Sequence, residues 1–203
     1  MSHSDISTKL GCILLAAGGS TRLGQPKQLV EINGVSLVSR AAGNLLALGY
    51  GKVVVVTGFD ERKILNKLQN ISVEIIHNAE WREGMGTSLA LAAAAIPDDF
   101  SGVLVLLADQ WKVSSDDLER LVEKWLCDIS IILGSKWGEI EKGDFGPPFI
   151  FPRDLFSELR TLKGDQGARS LVKKYRQRVS FVEMKNAAFD LDEPEDLRLL
   201  LAE

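Results

Sequence analysis

The feature that most constrains the fold is a recurring alternation of short apolar runs with amphipathic segments, each punctuated by glycine or a polar turn. Gly11–Ala17 is continuously apolar and stops at Gly18-Gly19. Its length and abrupt end suit a strand buried on both faces of a parallel sheet. Lys52–Thr57 (KVVVVT), Val73–His77, Gly102–Ala108 (GVLVLLA), Asp128–Leu133 (DISIIL) and Arg178–Met184 read as further strands. Between them, helices are expected over Ser36–Leu48 with Gly49 beyond its end, Asp60–Leu68 with Asp60 as its N-cap, and Met85–Ala95. Others are expected from Ser114 or Ser115 to Trp125, and over Pro152–Leu162, Gln166–Tyr175 and Pro194–Ala202. Gly134–Pro148, with its glycines and two prolines, reads as a loop or hairpin. Such alternation implies an α/β fold, a mostly parallel sheet with helices on both faces. In that architecture ligands bind beyond the carboxyl ends of the strands, near the reversal of strand order. The loops beginning at Gly18, Asn78 and Asp109 are therefore the places to search.

The 203 residues suit one domain, expected over 11–203 behind a flexible polar tail at 1–10. A net charge of −4 argues against a broad nucleic-acid face. The longest early apolar run, Cys12 to Ala17, is too short to span a bilayer and lacks the flanks of a secretory signal, so a cytoplasmic protein with no membrane partner is expected. Cys12 and Cys127 each sit in an apolar run far from the other, which reads as two buried, reduced thiols. The two histidines, His3 and His77, offer no His-rich zinc site.

The chemistry concentrates in Leu15-Ala-Ala-Gly-Gly-Ser-Thr-Arg-Leu-Gly-Gln-Pro-Lys27. Ala16, Ala17, Gly18 and Gly19 allow close approach to the backbone, whose consecutive N–H groups can cradle phosphate oxygens. Arg22 and Lys27 add two cations. The glycine spacing of a Walker A loop is present from Gly19 to Gly24, but Gln25-Pro26 stands where Lys-Ser/Thr is required, and the dinucleotide fingerprint GxGxxG is absent. The segment resembles the signature LAAGxGxRMGxxK of the MobA-like nucleotidyltransferase family, within the wider nucleotide-diphospho-sugar transferase fold. Ser20-Thr21 replaces the usual small pair and Leu23 stands for Met. Leu15-Ala16-Ala17-Gly18, rather than Leu-Ala-Gly-Gly, is similar to the cytidylyltransferase branch that acts on the molybdopterin cofactor.

The resemblance extends from Ile13 to Leu197. Asn78-Ala-Glu-Trp-Arg-Glu-Gly-Met-Gly-Thr-Ser88 is similar to N..W..GMG.SL, implying that Asn78, Gly84, Gly86 and Ser88 close over base and ribose. A helix start capped by Thr87 or Ser88 is the alternative reading of that segment. Asp109, at the carboxyl end of Gly102–Ala108, is suitably placed to bind Mg²⁺, which prefers few carboxylates plus water and phosphate oxygens. Here the chain has Asp109-Gln110-Trp111 where the family has Asp-Met-Pro or Asp-Gln-Pro. Asp190-Leu-Asp-Glu-Pro-Glu-Asp-Leu197 is similar to D-x-D-T-P-E-D-L, implying that Asp192 joins Asp109 at the metal. Gly146-Pro-Pro-Phe-Ile-Phe151 and Leu162-Lys-Gly-Asp-Gln-Gly-Ala-Arg169 resemble the acceptor segments of molybdopterin-related members, implying Gly146, Pro148, Lys163, Asp165 and Arg169 at an acceptor pocket.

The implied reaction moves the α-phosphoryl unit of a nucleoside triphosphate, CTP favoured, to an acceptor phosphate and releases pyrophosphate. The acceptor oxygen is already anionic, so no side-chain base is required. Neutralisation by Arg22, Lys27 and the Asp109-bound ion would supply most of the catalysis. The expected partners are the triphosphate, a molybdopterin-type phosphorylated acceptor, and a molybdoenzyme or chaperone. Two alternatives remain open: the same machinery acting on a sugar or polyol phosphate, and a non-catalytic nucleotide- or cofactor-binding accessory protein of a molybdenum hydroxylase.

Overall fold

The computed structural model describes residues 8–20 and 22–201. The polar tail expected over residues 1–10 lies mostly outside them, but Leu10 already belongs to the first strand and is fully buried. The chain runs β1 (Leu10–Leu15), β2 (Glu31–Ile32), β3 (Val35–Ser36), α1 (Leu37–Ala47), β4 (Val53–Thr57), α2 (Glu61–Leu68), β5 (Glu74–His77), α3 (Met85–Ala95) and β6 (Gly102–Leu107). It continues through α4 (Ser115–Leu126), β7 (Ile132–Lys136), β8 (Phe145–Pro152), α5 (Phe156–Leu159), α6 (Ala168–Lys174), β9 (Val179–Glu183) and α7 (Pro194–Leu201).

Seven strands form one sheet in the order β5-β4-β1-β6-β8-β7-β9, with only β8 running antiparallel to its neighbours. β1 is flanked by β4 and β6, so Leu14 lies opposite both Val55 and Leu106. The chain winds outward from β1 to β5, then returns across it to β6. Strand order reverses there, which opens a crevice beyond the carboxyl ends of β1 and β6.

The strand pleat divides the core in two. Cys12, Leu14, Val53, Val55, Leu104 and Leu106 point to one face and meet α1, α2 and α4. Ile13, Leu15, Val54, Val56, Val103 and Val105 point to the other and meet α3, α5 and α6. The α/β class, the mostly parallel sheet and helices on both faces are thus as the alternation required.

Four local expectations are corrected. Asp60 stands at the N-cap position of α2, but its side chain does not cap the helix. It sits in the left-handed region at φ 54 with no cap hydrogen bond, and its carboxylate pairs with Lys63 at 2.7 Å. The strand expected over Asp128–Leu133 begins at Ile132, because the Asp128 side chain accepts the Ser130 amide at 3.0 Å and turns the chain first. The helix expected over Pro152–Leu162 is confined to Phe156–Leu159, because Phe149-Ile150-Phe151-Pro152 completes an interior strand. Prolines are rare inside sheets. Here the register between β7 and β8 breaks at Gly134/Ser135, across from the cis Pro147-Pro148 bond, and the Ser135 hydroxyl bonds the Gly146 and Pro147 carbonyls at 2.8 and 2.9 Å. Finally, Cys127 is not buried; it caps α4 at the surface, whereas Cys12 lies inside β1.

The two thiols therefore differ in reactivity. Burial pushes the Cys12 thiol up to about 12, so little thiolate exists there near neutral pH. Ellman's reagent is expected to titrate one thiol, Cys127, in the native protein and both after denaturation. Rapid loss of both thiols in the native state would contradict the burial of Cys12.

Candidate active site

The crevice is built from chain ends that each strand delivers to the same edge. The loop after β1 carries Gly18, Gly19 and Ser20, turns by a Gly24 N–H···O=C Ser20 bond of 3.2 Å, and returns Lys27 beneath β1. Two contacts lock that return. The Ser20 hydroxyl accepts the Lys27 amide at 3.0 Å, and the buried Gln28 amide donates to the Ala16 and Gly18 carbonyls at 2.9 and 2.6 Å. The two glycines serve different ends. A Cβ on Gly19 would press within 3.1 Å of the Trp81 ring, whereas one on Gly18 would meet nothing within 4 Å. A side chain at position 19 would have to push the Trp81 ring aside, while the open side of Gly18 is available to a ligand. Thr21 lies outside the described residues.

At the centre stands Lys27. Its ammonium pairs with Asp109, at the end of β6, and with Asp192 at 2.7 Å. Arg22 bonds the second Asp192 oxygen at 2.9 Å from a more exposed position. Burial weighs against the charged ammonium, but Asp109 and Asp192 outweigh it and hold Lys27 above the usual lysine range. For Asp192, burial acts upward, yet Lys27 and Arg22 win and hold it below the usual carboxylate range. Asp190 behaves oppositely. Burial, then the Asp109 and Asp192 charges, raise it to about 7.

The residues fit a divalent cation at this point. Asp109 and Asp192 converge on one positive charge, and Asp109 Oδ1 is buried without a hydrogen-bond partner, an uncompensated acceptor that a cation would satisfy. Among the described residues no cluster of three or more His, Cys, Asp or Glu side chains is arranged to hold a metal, so substrate oxygens or water would have to complete the coordination.

Two cavities adjoin across this pair. One, of about 290 Å³, is lined by Gly18, Gln28, Trp81, Gly84 and Ser88. The other, of about 470 Å³, is lined by Arg22, Trp137, Phe149, Arg169, Asp190 and Asp192. Leu15, Lys27, Met85, Leu107, Asp109 and Asp165 line both. Lys27 and Asp109 thus sit where two ligands would meet.

The expected site residues divide accordingly. Leu15, Ala17, Gly18, Lys27, Gly84, Ser88 and Asp109 line the first cavity. Asp165, Arg169 and Asp192, with Arg22, line the second. Ala16 contributes the carbonyl that anchors Gln28. Asn78 works within its own loop: its amide reaches the Thr87 and Ser88 hydroxyls at 2.9 and 2.8 Å, and its Oδ1 accepts the Glu80 amide at 2.9 Å. Gly84 caps α3 at φ 125, so neither Thr87 nor Ser88 is its N-cap. A Cβ on Gly84 or Gly86 would collide with the backbone around Gly164, and the Gly86 amide donates to the Gly164 carbonyl at 2.8 Å. These glycines therefore join the loop before α3 to the loop before α6. Lys163 is exposed and lines neither cavity, Gly146 lies under Trp137 and Arg169, and Pro148 is buried in β8 beside Pro147, which does line the second cavity.

Gln28, Trp137 and Phe149 are not marked by the sequence patterns, and of the alternating pair Asp190 and Asp192, of which one side chain is expected to reach the metal, both line the second cavity. A polar residue directly after Lys27 was a signal for Gln28. Trp137 and Phe149 were hidden because they reach the cavity only once β7 and β8 pair.

Residues 12–179 match the MobA-like NTP transferase domain. The chain belongs to this family of nucleotidyltransferases. It is 30% identical to purine catabolism protein PucB of Bacillus subtilis, over 91% of this chain and 92% of that one. It is 28% identical to nicotine blue oxidoreductase of Paenarthrobacter nicotinovorans, over 99% of this chain and all of that one. The molybdenum cofactor cytidylyltransferase of Escherichia coli is 30% identical over 43% of this chain and 45% of its own length. Among solved structures, Rv0371c of Mycobacterium tuberculosis superposes with a TM-score of 0.83 at 25% identity, covering 97% of this chain and 98% of that one. Another crystal structure of that protein, 23% identical with a TM-score of 0.79 and covering 97% of this chain and all of that one, is a complex with manganese.

The central ion pair makes a measurable claim. The Lys27 ammonium occupies the point where a cation would meet Asp109 and Asp192. Lys27→Met is expected to raise the affinity for free Mn²⁺ about tenfold, roughly 1.4 kcal/mol, by removing a like charge. Electron paramagnetic resonance of unbound Mn²⁺ without nucleotide measures this. Unchanged or weaker binding would contradict the placement.

Proposed function

We propose that the chain transfers a nucleoside monophosphate, CMP from CTP, to the phosphate of a molybdopterin-type acceptor with release of pyrophosphate. The observation that carries the reading is the pair of cavities joined at Lys27 and Asp109. Nucleotidyl transfer requires two anionic ligands side by side with positive charge at their junction. In this reading the triphosphate lies along Gly18 and Gly19 with its base toward Ser88, and the acceptor phosphate enters from the Arg169 side. An acceptor oxygen attacks the α-phosphorus as the α–β bridging bond breaks, and pyrophosphate leaves with the electron pair. Lys27 and Arg22 neutralise the phosphates, while Gln28 keeps the glycine loop in place.

A divalent ion, Mg²⁺ in this reading, would be held by Asp109 and Asp192 and would supply charge stabilisation to the reacting phosphate oxygens. The cytidylyl and molybdopterin choices rest on Leu15-Ala16-Ala17-Gly18 and on Gly164-Asp165-Gln166-Gly167-Ala168-Arg169, whose Asp165 and Arg169 line the acceptor cavity. The partial similarity to the Escherichia coli cytidylyltransferase supports them. No helix among the described residues is long and apolar enough to cross a membrane.

The full-length similarity to a protein named for oxidoreductase activity makes a pyrophosphate assay decisive. With Mg²⁺ and a molybdopterin acceptor, pyrophosphate is expected from CTP in preference to GTP, ATP and UTP. Asp109→Ala is expected to lower kcat by about 10²-fold or more, roughly 2.7–4 kcal/mol, while remaining folded by circular dichroism. No pyrophosphate from any of the four nucleotides, or full activity in Asp109→Ala, would overturn the proposal.

A further inference from the structure

We propose that Trp111 is a positioning residue that sets the spacing between Asp109 and Asp192. The proposal rests on the reading of those two carboxylates as the cation-binding pair. Trp111 stands where the resemblance would place a proline, and the structure gives the exchange a purpose.

Trp111 is only 6% exposed, yet it belongs to neither of the two cores that cover the sheet. It forms a third, small cluster with Leu37, Leu191 and Leu200, against which Leu23, Val30 and Leu197 pack. The members of this cluster border charged residues of the site. Leu23 adjoins Arg22, Trp111 follows Asp109 by two positions, and Leu191 lies between Asp190 and Asp192. The cluster therefore ties three chain segments together directly behind the groups they carry.

The backbone repeats the connection. The Asp109 carbonyl accepts both the Trp111 amide at 2.9 Å and the Leu191 amide at 3.1 Å, and Gln110 forms an isolated antiparallel bridge with Asp190. The Gln110 amide secures the same junction, donating to the Pro147 carbonyl at 2.7 Å and the Ala187 carbonyl at 3.1 Å. On its outer side the Trp111 ring meets Phe189 edge-on at 6.0 Å, and the Lys112 ammonium lies 4.2 Å from the Phe189 ring centre. The segment carrying Asp192 joins the sheet through no strand of its own. Beneath the Lys27 clasp on the two side chains, this bridge and Trp111 set the spacing of the two backbones. A side chain that fixes ligand geometry without touching the ion acts on affinity through its neighbours.

The test compares Trp111→Leu and Trp111→Phe with Leu121→Ala, a truncation in the main core beside α4. Two readouts are taken well below the melting temperature of each variant: Mn²⁺ affinity by paramagnetic resonance, and hydrogen exchange of the Leu191 amide relative to that of Val55. Trp111→Leu is expected to weaken Mn²⁺ binding about tenfold and to speed Leu191 exchange selectively, on the scale of a lost ligand-orienting contact. Trp111→Phe, which keeps an aromatic ring, is expected to stay close to the unsubstituted protein. Leu121→Ala is expected to lower the melting temperature but change neither readout. Should Trp111→Leu fail to fold, Leu200→Ala opens the same cluster from α7 and is read in its place with the same expectation. Unchanged Mn²⁺ affinity together with unchanged Leu191 protection would overturn the proposal, as would equal losses in Leu121→Ala. If the unsubstituted protein binds no Mn²⁺, the cation reading fails on its own, and Leu191 exchange alone decides the role of Trp111.

Discussion

One ammonium holds this site together. Lys27 draws on it two carboxylates, Asp109 and Asp192, from positions 82 and 165 residues farther along the chain. Two acids gathered on one ammonium would repel if left alone, and the half-buried Asp190 beside them adds to the problem. Burial first, and then the charges of Asp109 and Asp192, push its carboxyl up to about 7. Lys27 answers the repulsion at the centre, and Arg22 answers it at the rim. The arrangement is therefore poised: were the ammonium drawn off toward an anion, the same acids would be left to another cation.

The fold explains why these groups meet. β1 and β6 lie side by side and end at the same edge, so the residues following each share one crevice. The return from β1 to Lys27 is locked by Ser20 and Gln28, and the return of the C-terminal segment to Asp109 is locked by Trp111, Gln110 and Leu191. At the opposite wall, Gly84 and Gly86 press against the Gly164 backbone and join the loop over the first cavity to the loop beside the second. The two cavities thus share walls that are held by buried contacts, and in the proposed reaction this would spare the cost of orienting two anions.

Much of this was legible in the residues. Strands buried on both faces announce themselves as unbroken apolar runs, which is why Val53–Thr57 and Gly102–Leu107 lay within a residue of expectation. The helix Met85–Ala95 was read with its bounds intact. Gly18, Lys27 and Asp109 stood out as small or charged residues in loops beyond expected strands, and Asp192 through the resemblance of its segment; the structure brings all four to one crevice. The illegible parts were those decided by pairing across long distances. β8 carries Pro147 and Pro148 in its first half and ends at Pro152, which argues locally against a strand, and the β7 register break accommodates the central pair. The resemblance implied Lys163 at the acceptor pocket, yet it is exposed and lines neither cavity, while Asp165 two positions on lines each. Asn78 read as a ligand group, and its hydrogen bonds turn out to be spent on Thr87, Ser88 and Glu80. A local pattern reports which residues can do chemistry, while tertiary packing decides which of them face the ligand.

The most direct test is a crystal grown with Mn²⁺ and a non-hydrolysable CTP analogue, examined by anomalous diffraction. The account predicts one anomalous peak within coordination distance of both Asp109 and Asp192, roughly 2.0–2.6 Å, the range of carboxylate oxygens around hard divalent ions. It also predicts the Lys27 ammonium moved onto phosphate oxygens beside Gly18. An analogue bound elsewhere, or Lys27 still clasped between the two carboxylates with no metal peak, would contradict it.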